Sequence, residues 1–193
     1  MSTKHRVIQA ACVAFSDRGV AGTSLDDIAV QLGITKQAIL YHFDSKNGLV
    51  EAVLKQSAAE LLVLFGDITH RTADGWPRVE EVVRASFDIA VKRPELLGLL
   101  REVNRLGDPW STQLIRALDP LIKPALQHLE FCMEKGLFKQ ADPQLVLASA
   151  YSAVTGVAVD LEVLKAVGLE LNLKVAARLR RTLLTFLRSS LVG

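Results

Sequence analysis

Thr23 to Lys46 read TSLDDIAVQLGITKQAILYHFDSK, two short blocks of helical periodicity separated by a glycine. In the first block Leu25, Ile28, Ala29 and Leu32 fall at i, i+3, i+4 and i+7, the spacing that gathers apolar side chains on one face of a helix. Ser24 with Asp27 three residues on is a capping box, and Gly33 can take the left-handed conformation that ends a helix. Beyond the turn, Ile34 is an apolar plug, Thr35 caps a second helix, and Ala38 and Ile39 pack back on the first. Ala29 supplies the small side chain that two closely crossing helices need after a short turn. The stretch predicts a helix-turn-helix that leads into a long helix, with duplex DNA as partner.

The outward face of the second helix is then Lys36, Gln37, Leu40, Tyr41 and His42. Gln pairs bidentately with adenine, Lys reaches guanine edges or phosphate, and an apolar side chain such as Leu40 touches a thymine methyl. Tyr41, His42 and Lys46 carry donors suited to phosphate oxygens, contacts that position a protein without reading sequence.

GITKQAILYHFDSK resembles the signature of the tetracycline-repressor (TetR/AcrR) family of bacterial regulators. The order before it, an amphipathic first helix, a Gly-containing turn and TSLDDIA, is similar to that family too. The resemblance implies that Thr23 or Ser24 meets phosphate, that Thr35, Lys36, Gln37 and Ala38 form the groove-facing start of the recognition helix, and that Tyr41, His42 and Lys46 meet phosphate. Leu40 stands where the family most often has Tyr, and Asp26 where a basic residue is frequent, so a contact is expected to be missing at each. It further implies a homodimer and a small-molecule effector.

Composition fits this expectation without suggesting it. The 193 residues are half hydrophobic, enough for a substantial core, and carry a formal net charge of +2. Residues 1–50 hold five Lys or Arg against four Asp, so nonspecific attraction to phosphate is expected to be modest. The isolated histidines His5, His42, His70 and His128, and the lack of HExxH, Walker A, GxGxxG or GxSxG motifs, argue against an enzyme, a metal site or a cofactor. Cys12 and Cys132 are far apart on apolar helical faces, and reduced, buried thiols in a cytoplasmic protein are expected. The longest uncharged run, Pro143 to Val159, contains Gln144, Ser149, Ser152, Thr155 and Gly156 and is short for a membrane span, so it is read as a helix buried in protein.

Outward from the hairpin every long segment has helical period, and an all-α fold of about nine helices is predicted. Helix one runs from about Thr3 to Arg18 with Val7, Ile8, Ala11 and Phe15 inward. Helix four starts near Ser45, with Leu49, Val50, Val53 and Leu54 facing the DNA-binding domain. Further helices are expected from Trp76 to about Lys92, from Pro94 to about Arg105, and from Ser111 to Lys135 with bends at Pro120 and Pro124. One more runs from Pro143 to about Val167 and a last from about Asn172 to Ser189. Residues 1–50 are assigned to the DNA-binding domain and 51–193 to effector binding and dimerisation.

The apolar content of Leu145 to Leu164 and of Val175 to Leu191 exceeds what one amphipathic face needs, which suggests a four-helix bundle between two copies through about residues 143–189. The basic residues Lys174, Arg178, Arg180, Arg181 and Arg188 are spread around their helix as a solvated face. Candidates to line an effector pocket are Phe65, Phe87, Arg101, Asn104, Trp110, His128, Phe131 and Tyr151, with an apolar or aromatic ligand favoured. Function is therefore expected to be that of a ligand-released transcriptional repressor; the alternative is a helical interaction protein of the same fold that has lost specific DNA binding.

Overall fold

Ser2 opens the first helix by accepting the His5 N–H on its hydroxyl at 3.3 Å, and Gly19, at φ +74°, closes it. In the computed structural model, residues 2–159, 161–170 and 172–193 are described, with the side chains of all these except 157–159, 161–163 and 173. The described residues form ten helices and no strand: α1 (Thr3–Arg18), α2 (Leu25–Leu32), α3 (Lys36–Phe43), α4 (Lys46–Arg71), α5 (Trp76–Lys92), α6 (Pro94–Leu106), α7 (Trp110–Glu134), α8 (Pro143–Val159), α9 (Leu161–Ala166) and α10 (Leu173–Leu191). The fold is all-α, as the periodicity predicts. Two compact units are present, one made of residues 1–61 and 93–118, the other of residues 62–92 and 119–193.

In the first unit α1 is the central element. Val7, Ile8, Ala11 and Phe15 are buried as expected, but so are Ala10, Cys12 and Ala14. The wider buried face follows from the number of neighbours: α2, α3 and α6 all contact α1, and the Cys12 thiol meets Ser57 of α4. Burial pushes that thiol up to about 11, which keeps it protonated and unreactive. A polar network ties the same helices together. Gln9 of α1 donates to Glu60 of α4 at 3.3 Å, and Arg93, just before α6, pairs with Glu60 at 2.8 Å and with Glu95.

α6 approaches α1 with bare backbone. A Cβ on Gly98 would lie 1.9 Å from Ser16 Oγ and 2.9 Å from Ser16 Cβ, distances no real side chain adopts. One turn on, the buried Glu102 accepts the Val20 N–H at 2.7 Å and is gripped by Arg105 at 2.7 and 2.8 Å. The Arg105 guanidinium, and then the Val20 N–H, hold the Glu102 carboxyl below the usual glutamate range.

The second unit has two apolar clusters. Leu129, Cys132, Met133, Phe138 and Leu191 form one, and Val83, Phe87, Leu183 and Leu187 the other, with Trp76 packed against both. α5, α8 and α10 contact one another. α7 runs through Pro120 and Pro124 without ending. α8 ends at Val159 and α9 begins at Leu161; residue 160, inside the helix expected from Pro143 to about Val167, lies outside the described residues. Among the described residues no helix is long and apolar enough to cross a membrane, and no cluster of three metal-ligating side chains occurs.

Two outcomes test the α1–α6 contact. Gly→Ala inside a helix ordinarily gains up to about 1 kcal/mol, whereas overpacking costs about 1–3 kcal/mol. Gly98→Ala is therefore expected to lower the urea midpoint, and Ser16→Gly with Gly98→Ala to be more stable than the two single changes predict when added. Glu102 has a depressed folded value, so its contribution is present above the unfolded value and lost as pH falls through the folded one. Glu102→Gln is expected to cost about 1–3 kcal/mol near neutral pH and to flatten the acid limb of the stability curve, read by urea unfolding across pH.

Candidate nucleic-acid interface

The hairpin is built by local hydrogen bonds that its sequence prescribes. Ser24 Oγ accepts the Asp27 N–H at 3.1 Å while Asp27 Oδ2 accepts the Ser24 N–H at 2.8 Å, a complete capping box. Those two bonds, the backbone one first, hold the Asp27 carboxyl below its usual range. Gly33 ends α2 at φ +65°, with its N–H on Val30 O at 3.2 Å and the Ile34 N–H on Ala29 O at 3.0 Å, the paired bonds of a Schellman motif. Thr35 Oγ1 accepts the Ala38 N–H at 3.2 Å and starts α3.

α3 turns Ile39 and Phe43 inward, both buried, and leaves Lys36, Gln37 and Tyr41 exposed, Tyr41 at 84%. Ala38, Leu40 and His42 are half-buried on its flanks, as is Lys46 at the start of α4. The Tyr41 and His42 rings meet edge to face, 5.2 Å between centroids. Lys36 Nζ pairs with Asp26 Oδ2 of α2 at 2.8 Å. These residues border an open groove of about 420 Å³ lined by residues 21–27 with Lys36 and Lys46.

Thr23 stands apart from the other candidates. It is 1% exposed, and its hydroxyl is shared between Ala14 O at 3.2 Å and Gly19 O at 2.9 Å. That side chain locks the α1–α2 turn, leaving the exposed Ser24 hydroxyl as the group available to a phosphate at this end.

A sharp turn joins α3 to α4. Asp44 has φ +59°, a conformation in which non-glycine residues other than Asp and Asn are rare. A Cβ on Gly48 would lie 2.1 Å from Phe43 O, so only glycine lets α4 begin so close to the end of α3. Neither follows from the helical periodicity. The run Asp-Ser-Lys-Asn-Gly after an apolar helix was the available signal, since Asp tolerates positive φ and Gly tolerates contact. Asp26, in sequence only a departure from the family pattern, is in the structure the partner of Lys36.

The model of a family described as bacterial regulatory proteins, tetR family, matches residues 7–53, which take in α1, the hairpin and the first turns of α4. Over residues 7–53 the chain is similar to the tetR family. The HTH-type transcriptional regulator TtgR of Pseudomonas putida is 36% identical over 101 residues, 52% of this chain and 42% of that protein, so the match spans less than half the relative's length. Two solved structures share the fold nearly end to end. The ketosteroid regulator KstR2 of Mycobacterium tuberculosis superposes at a TM-score of 0.75 with 22% identity, over 100% of this chain and 96% of that one. FadR of Bacillus subtilis, in complex with stearoyl-CoA, superposes at 0.82 with 14% identity, over 96% and 98%.

Outside residues 7–53, the residues suggested for an effector are divided between the units. Arg101, Asn104 and Trp110 belong to the first, where Arg101 and Asn104 are exposed. Phe65, Phe87, His128, Phe131 and Tyr151 belong to the second; Phe87 and His128 are buried, Phe131 and Tyr151 exposed. His128 lies 3.2 Å from Arg78 and 3.5 Å from Asp74, edge to face with Phe138. Burial, then Arg78, pushes its imidazole below the usual histidine value and so favours the neutral ring.

Thr23 and Tyr41 are expected to separate structure from surface. Thr23→Val removes a buried hydrogen bond and should cost about 1–2 kcal/mol of stability. Tyr41→Ala, at an exposed position, should stay within about 0.5 kcal/mol. Thermal or urea unfolding of the two variants beside the parent checks both.

Proposed function

We propose that this chain is a transcriptional repressor that binds a palindromic duplex operator as a homodimer and is released by a small apolar or aromatic effector. The observation that carries it is the outer face of α3, where Lys36, Gln37 and Tyr41 project into solvent from a helix capped at Thr35 and anchored by buried Ile39 and Phe43. A helix presented in this way fits the major groove, with Lys36 and Gln37 at base edges, Thr35, Ala38 and Leu40 beside them, and Ser24, Tyr41, His42 and Lys46 at phosphates.

Dimerisation is supported by apolar side chains left uncovered on α8 and α10, among them Leu145 at 67% exposure and Phe186 at 60%. The part of that face at 157–163, 171 and 173 lies outside the described side chains. Residues 1–50 act as reader and 51–193 as effector and dimer region. The stearoyl-CoA held by FadR supports an apolar effector, and Phe87 with His128 are the residues best buried to meet one. The two cysteines, free and buried, suit a reducing cytoplasm. An effector acts here by favouring the conformation with the wrong spacing between recognition helices, and only to the extent of its differential affinity for the two states.

Selection from a random duplex library with purified chain tests this. One enriched palindrome is expected, its half-sites about 34–36 Å or a multiple apart, with enrichment lost in Lys36→Ala/Tyr41→Ala. Recovery of no enriched sequence would turn the assignment to a helical interaction protein that no longer reads DNA.

A further inference from the structure

The groove beside the recognition helix holds a carboxylate where a DNA-binding surface gains by having none. Asp26 sits in the first turn of α2, where the helix dipole stabilises an anion and where a phosphate would otherwise dock on free N–H groups. Its Oδ2 lies 2.8 Å from Nζ of Lys36, the first residue of α3, and both side chains are open to solvent, at 62% and 47%. The two residues are ten positions apart on different helices, so no intrahelical spacing brings them together. Lys46 borders the same groove, and Arg18 with Lys46 acts on the neighbouring Asp27.

We propose that Asp26 is a specificity-determining residue of the DNA interface, holding Lys36 in one position and withholding it from phosphate at large. This rests on the duplex-binding reading above. An exposed pair of this kind is weak, so it biases where the ammonium sits yet gives way to a well-placed guanine edge, which offers two acceptors at fixed positions. A phosphate on random sequence offers one charge and meets the Asp26 carboxylate at the same moment. The pair therefore discounts nonspecific binding more than specific binding. It also accords with the near balance of charge in residues 1–50.

The test is salt-titrated binding to a random-sequence duplex and to the enriched palindrome, for the parent, Asp26→Asn, Lys36→Met and the double variant. Each phosphate contact contributes about −0.9 to the slope of log K against log salt. Asp26→Asn is expected to steepen the random-duplex slope by about one such contact and to tighten nonspecific binding about three- to eightfold near 0.1 M salt, lowering the specificity ratio. In the Lys36→Met background the same change should do much less. Unchanged slope and affinity in Asp26→Asn, with the parent binding duplex, would overturn the proposal and leave the duplex reading standing. Equal tightening with and without Lys36 would overturn the tether, since repulsion alone would then account for it. A parent that binds neither duplex at low salt would overturn both.

Discussion

Gly98 has no side chain, and α6 therefore lies with its backbone against Ser16 of α1. From that contact the first unit can be followed outward. Glu102, one turn further along α6, reaches the N–H of Val20 just past the end of α1, so the turn into the hairpin is clamped from outside. Thr23 closes the same turn from inside by giving its hydroxyl to Ala14 and Gly19. The direction in which α2 starts is set by these two devices, and with it the positions of Ser24, Asp27 and finally α3. None of the clamping residues is placed to touch a ligand of α3; their contribution is that α3 has one position.

The outer surface follows a different logic from the core beneath it. With so little net positive charge, the domain cannot rely on bulk attraction to a polyanion. On the proposed duplex-binding reading, its affinity comes from a few side chains held at definite places by Thr35 capping and the buried Ile39 and Phe43. The second unit shows the converse economy. Its two apolar clusters share Trp76, and the buried His128 sits beside the half-buried Arg78, the exposed Asp74 and the buried Cys132 thiol.

The hairpin was legible because its signals are close in sequence: Ser24 with Asp27, Gly33 with Ile34, Thr35 with Ala38 are each within three residues, and the structure uses all of them. The helix ends at Arg18, Lys92 and Leu106 follow equally local cues from Gly19, Pro94 and Gly107. What stayed hidden depends on partners far along the chain. Thr23 looked like a surface hydroxyl until Ala14 and Gly19 were seen around it. The roles of Gly98 and Glu102 have no local signal, because their partners Ser16 and Val20 lie some eighty residues upstream. The Asp26–Lys36 pair joins two helices whose relative angle no periodicity discloses.

The junction after Phe43 has a mechanical consequence. Gly48 is packed against the Phe43 carbonyl and Asp44 is already at positive φ, so only Asp44 and Ser45 join α3 to α4 and neither has a glycine's freedom to swing. The junction is a tight elbow: a rotation of the first turns of α4 either gives up that contact or is carried to α3, on whose outer side Tyr41 stands.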